Sequence, residues 1–140
     1  MSDIYAVMLS WAVTLSGYGP PAEQPKITQV EHAELVQRAC GGRECKVLGW
    51  YPPGGTIYLD RRLDPEDSLF ASSIVVHEMV HYLQEASGKF AHDDPCKTAL
   101  LREREAYAVQ KEFLVRYGVF QQVGLAMHGA GCELAAGSGH

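Results

Sequence analysis

The stretch Ile74-Val75-Val76-His77-Glu78-Met79-Val80-His81-Tyr82-Leu83 is apolar on nearly every side of any helix it forms, yet it carries two histidines and a glutamate. A helix that is apolar all round belongs in an interior. Imidazoles and a carboxylate in an interior need partners, because a buried polar group without one is costly. The chain must therefore fold around this helix and bring polar partners to it. Its start is marked by Asp64-Pro65-Glu66-Asp67: Asp64 can cap, Pro65 suits the first helical position, and two acids follow near the positive end of the dipole. The pattern predicts a helix from there to about Ala86, ended by Gly88. Asp94-Pro95 repeats the signal and predicts a second long helix from Cys96 to about Tyr117, ended by Gly118, then a shorter one from Val119 to about His128.

Upstream, Ile4 to Leu15 has apolar residues at Ile4, Val7, Met8, Trp11 and Leu15, the spacing of one helical stripe. At 12 residues it is shorter than the roughly 20 that span a bilayer, and Asp3 stands where a signal peptide would be basic. Lys26 to Val30 reads as a strand and His32 to Ala39 as a short helix. Lys46 to Tyr51 and Thr56 to Asp60 read as two strands joined by the turn Pro52-Pro53-Gly54-Gly55. The 140 residues amount to one domain, assigned to 1–136, because Gly137-Ser138-Gly139-His140 resembles a linker running into a purification tag. The expected fold class is α+β, mostly helical, with a small sheet before the central helix.

A net charge of −5 argues against a nucleic-acid binder and against docking on anionic membranes. The four cysteines, Cys40, Cys45, Cys96 and Cys132, allow three pairings. Cys40 with Cys45 would close a Gly-rich loop, and Cys96 with Cys132 would tie the second long helix to the tail. That framework implies a periplasm or the cell exterior, reached with an export signal since removed; the other reading is four reduced thiols.

His77-Glu78-Met79-Val80-His81 is an H-E-x-x-H motif. Histidines four residues apart lie about 40° apart on a helix, one turn above the other, and two imidazoles so placed can bind one zinc ion. Glu78, on the flank of that face, can take a proton from water at the metal without being a ligand. A catalytic zinc wants a third protein ligand and an open position. Ser87 stands where a histidine six residues on would complete one zincin pattern. His92, Asp93 and Asp94 lie in the following loop, Asp94 as the cap. On the second long helix Glu103 and Glu105 are about 200° apart and cannot share a face. Glu103 lies within the apolar stripe Leu100, Ala106, Tyr107, Phe113, Leu114 and Tyr117, whereas Glu105 falls opposite, as a solvated charge near Lys111 or Arg102. Glu103 is the preferred third ligand.

H-E-x-x-H on one helix with a glutamate on the next resembles the gluzincin-type zincin metallopeptidases. Several such families read Glu-x-x-Ala-Asp at the third ligand; this chain reads Glu103-x-x-Ala106-Tyr107, so the aspartate that buttresses a ligand histidine in the family is absent. The size resembles the minigluzincins and a group of short bacterial H-E-x-x-H proteins of unassigned substrate. The resemblance covers His77 to Tyr107 and is architectural elsewhere. It implies a zinc peptidase with His77, His81 and Glu103 as ligands, Glu78 as base, and a peptide or protein substrate. It also implies an edge strand that holds extended substrate, a place Thr56 to Leu59 would fill unless that strand only packs in the hairpin. Tyr107, Tyr117, His92 and His128 are candidate donors to an oxyanion, while Tyr82, Gln84 and Glu85 continue the site helix as supporting or packing residues. Two other classes stay open: a non-proteolytic zinc amidohydrolase, and a zinc-binding regulatory module with a vestigial site. A tail over Val119 to Glu133 covering the cleft would make the site latent.

Overall fold

The protein is α+β, and the computed structural model describes residues 3–124. Helix α1 (Ile4–Ser16) is capped by Asp3, whose carboxylate accepts from the Tyr5 and Ala6 backbone N–H groups. Strand β1 (Lys26–Val30), helix α2 (His32–Cys40), and strands β2 (Gly49–Trp50) and β3 (Thr56–Asp60) follow. Two long helices, α3 (Leu69–Ser87) and α4 (Pro95–Arg116), complete the order.

The sheet order is β1-β3-β2: β1 runs parallel to β3, with Lys26 opposite Thr56 and Val30 opposite Asp60, and β2 pairs antiparallel with β3. β3 is thus the central strand, and its period-2 pattern serves two faces. Ile57 and Leu59, both fully buried, point into the main core with Met8, Val75, Val76, Met79, Leu83 and Leu114. Tyr58 points to the other face, where α2 places Leu35, Val36 and Ala39 over Val30 and Val47. Burying each large aliphatic side chain contributes about 1.5–3 kcal/mol, so the sheet is held on both sides. Helices α1, α3 and α4 form the layer that carries the site.

The expected elements are present, with four corrections. α3 begins at Leu69, not at Pro65: Asp64 accepts from Glu66 N–H in a turn, and Ser68 caps the helix through Ala71 N–H. The strand expected over Lys46 to Tyr51 is two residues long. Thr56 to Leu59 is not a free edge along its length, because β1 pairs all of it and β2 pairs Tyr58 and Leu59; the edge strand beside α3 is β2. Residues 119–124 are irregular rather than helical, with Val119 N–H bonded back to Leu114. The remainder of that expected helix, His128, Cys132 and the 137–140 remnant lie outside the described residues.

Cys40 and Cys45 form a disulfide across the turn that ends α2. Cys96 is disulfide-bonded as well, and its expected partner Cys132 is outside the described residues. An oxidised Cys40–Cys45 pair fits an oxidising compartment. No described helix is long and apolar enough to cross a membrane.

Candidate metal centre

α3 and α4 pack antiparallel-wise across a short loop, and their facing sides bring His77, His81 and Glu103 together. All three are buried, and each offers one ligand atom within 4.8 Å of the others. His77 Nε2 is 3.5 Å from Glu103 Oε2, and His81 Nε2 is 2.5 Å from Glu103 Oε1. Glu78 is also buried, with Oε2 3.9 Å from His77 Nε2. Helical spacing explains the set: the histidines are one turn apart, and Glu103 is on the inner face of α4 with Ala99, Ala106 and Gln110.

The far side of each imidazole is occupied. His77 Nδ1 meets Gln110 Oε1 at 3.0 Å, and His81 Nδ1 meets Gln84 Oε1 at 2.9 Å. The near side is not. Among the described residues, the buried side-chain polar atoms without a hydrogen-bond partner are His77 Nε2, His81 Nε2, Glu103 Oε1 and Glu78 Oε1. Those of His77, His81 and Glu103 converge on one point, with the Glu78 carboxyl beside His77. The His81–Glu103 contact lacks the alignment of a hydrogen bond despite its length. Buried polar atoms without partners around one point are costly, and a cation there would satisfy them. The His77–Glu103 spacing already suits two ligands of a tetrahedral ion, whose donors sit about 3.3 Å apart, and the closer His81–Glu103 contact would open by less than 1 Å. The buried His77, His81 and Glu103 group could hold a metal ion.

Electrostatics separates the two carboxyls. For Glu103, burial opposes ionisation, but the two imidazoles facing it outweigh burial and hold the carboxyl well below its usual range. For Glu78, burial and then the Glu103 carboxylate push the group well above its usual range, against one backbone N–H from Tyr51. Burial lowers the basicity of His77. Tyr107 stands edge-on to His77 with ring centroids 4.4 Å apart; burial, then Glu103 and Glu78, raise its hydroxyl to about 12.

Open space flanks the cluster on both sides. A cavity of about 250 Å³ borders His77, Glu78 and Tyr107 and is walled by Leu48, Gly49 and Gln121. A second, of about 410 Å³, borders His81 and is walled by Pro53, Phe90 and Ala91. Gly49 is pressed against α3: a Cβ there would meet Ile74 Cγ2 at 2.8 Å and Glu78 Cγ at 3.2 Å.

The other candidates lie elsewhere. Glu105 is not a solvated charge near Lys111 or Arg102: it accepts from Tyr18, Gln84 and Lys89. His92, Asp93 and Asp94 are exposed in the α3–α4 loop, with Asp94 capping α4. Tyr117 accepts from Trp11 Nε1 and packs on Trp11 and Phe113. Tyr82 donates to the Glu23 carbonyl, and Glu85 accepts from Tyr51. Sequence reasoning missed Gln110, although a polar residue seven places after Glu103, on the same apolar stripe, is a readable signal. It also missed Ser73, whose hydroxyl oxygen accepts from Gln110 Nε2, and Gly49, whose lack of a side chain lets β2 approach α3.

Comparison with family models, with curated proteins and with solved structures finds no match for this chain, so the site has to be read from its own chemistry.

Proposed function

We propose that this protein is a zinc-dependent hydrolase, a peptidase of the gluzincin type, working in the periplasm or outside the cell. The single observation that carries the reading is the convergence of buried ligand atoms from His77, His81 and Glu103, among them atoms with no hydrogen-bond partner, beside the buried Glu78 carboxyl. Two imidazoles and one carboxylate favour zinc over harder divalent ions. An ion held by His77, His81 and Glu103 supplies Lewis acidity, which polarises a carbonyl and makes water nucleophilic near neutral pH.

The remaining work belongs to side chains of this chain. Glu78 is the proton carrier: it is not needed as a ligand, it borders the cavity, and its Oε1 has no partner. It takes a proton from water and hands it to the leaving amine. Tyr107 stays protonated at neutral pH and borders the same cavity, which suits it to donate to a developing oxyanion. β2 is the sheet edge beside Glu78, so an extended peptide can add to it as a further strand and run from one flanking cavity to the other.

Elemental analysis should find one zinc per chain. Glu78→Gln should keep that zinc and lose hydrolysis of a peptide library. A Glu78→Gln variant that matches wild type on every peptide and acylated amine would end the hydrolase reading.

A further inference from the structure

The imidazoles of the cluster are buttressed by neutral amides rather than by carboxylates, and proton accounting settles how each amide is turned. Gln84 Nε2 lies 3.0 Å from the Arg102 carbonyl and 3.1 Å from Glu105 Oε1. Both are acceptors only, so the NH₂ end must face them and the oxygen must face His81 Nδ1. Gln110 Nε2 lies 3.1 Å from Ser73 Oγ, whose own proton goes to the Phe70 carbonyl at 2.7 Å. That hydroxyl can only accept from Gln110, so the Gln110 oxygen faces His77 Nδ1. An amide oxygen demands a proton from the nitrogen it meets. Each ring therefore carries a hydrogen on Nδ1, and in the neutral ring Nε2 is the nitrogen left to face the cluster.

We infer that Gln84 and Gln110 are positioning residues, anchored by Glu105 and Ser73, that hold a hydrogen on Nδ1 of His81 and His77 and so reserve each Nε2 for the cluster. The value of this lock to the protein rests on the metal reading above; the lock itself exists in the metal-free chain. The choice of amide also sets charge. Two neutral rings and the Glu103 carboxylate leave a divalent ion with a net charge of about +1, which a carboxylate behind either histidine would cancel. The ion stays more electrophilic, at some loss of affinity.

The test uses the whole chain. Long-range ¹⁵N–¹H spectra of the histidine rings in the metal-free protein should show a hydrogen on Nδ1 of both His77 and His81. Gln110→Met and Gln84→Met keep the side-chain volume and remove the amide. Each should release its own ring into mixed tautomers and weaken zinc binding, measured by chelator competition, by about 10–100-fold. The anchors should act selectively: Ser73→Ala should disturb the His77 ring alone, and Glu105→Ala, at a partly exposed site, the His81 ring alone. Gln110→Glu should restore the Nδ1–H form of His77. A bare Nδ1 on either ring of the wild type, or Met variants that keep both the Nδ1 hydrogen and the affinity, would overturn the lock. Wild type that takes up no zinc would instead overturn the metal reading, and the ring spectra would still decide the lock.

Discussion

Glu103 and Glu105 stand two residues apart on α4 and do different work. Glu103 faces two imidazoles in a dry interior, while Glu105 accepts from Tyr18, Gln84 and Lys89 at the edge of the core. Glu103→Gln removes the only charge that the ligand set contributes and should weaken zinc retention by at least about 100-fold, since losing even a supporting residue behind a ligand costs about 10–100-fold. Glu105→Gln keeps an acceptor for Gln84 and should leave retention within about threefold of wild type, a margin of roughly 0.7 kcal/mol. Equilibrium dialysis distinguishes them, and the reverse order would place the ligand on the other glutamate. Gly49 makes a second argument at this scale. Its Cβ would fall inside the Ile74 side chain and against Glu78, so Gly49→Ala must push β2 off α3 or turn Glu78 aside. The expected result is a loss of about 1–3 kcal/mol in denaturant titration, as for other overpacked sites, with hydrolysis reduced and zinc retained.

At the scale of elements, α2 is pinned at both ends, by a disulfide after its last turn and by His32 against Asp60 of β3. The Cys40–Cys45 disulfide closes a short loop after α2, so the double variant Cys40→Ser/Cys45→Ser should lose about 2 kcal/mol, the chain-entropy figure for so small a ring. At the other end, Asp60 is fully buried at the end of β3 and accepts from Arg62 and His32. Burial raises its pKa, but the Arg62 and His32 contacts outweigh burial and the net shift is downward. A carboxyl held below its unfolded value stabilises the fold above that value, near 3.9, and the contribution drains away as pH falls through the folded value. Asp60→Asn should therefore be destabilised at pH 7 and should close the gap with wild type as pH drops below about 4 in urea titrations. These elements were legible because their signals are local. Asp94-Pro95 and Gly88 mark helix ends through backbone chemistry alone, and both fall where expected. Asp64-Pro65 misleads because the same residues also initiate a turn, and Ser68 supplies a competing cap four residues later.

For the whole molecule, the helical phase of α4 was enough to turn Glu103 rather than Glu105 toward α3, since burial follows directly from the apolar stripe. The sheet order was not readable. It depends on β1 pairing with β3 across an intervening helix and strand, and no local pattern shows that the central strand is the third rather than the second. Gln110 and Ser73 escaped notice for the same reason, because their partner is on another helix. The cluster also links site to stability. In the metal-free fold, buried polar atoms of the cluster lack hydrogen-bond partners, an arrangement that detracts from stability. An ion that binds the folded chain and not the unfolded one adds RT ln(1 + [L]/Kd), about 2.7 kcal/mol at a free concentration of 100 times Kd. Wild type should melt several degrees higher with zinc than after chelation. Glu103→Gln should melt at one temperature in both conditions, because its carbonyl oxygen leaves the set without a charge to hold the ion. Glu78→Gln should keep the full zinc-dependent shift although inactive, since Glu78 is not needed to hold the ion. Paired thermal scans of the three proteins, with and without zinc, separate holding the metal from using it; a shift that survives in Glu103→Gln would mean the ion sits elsewhere.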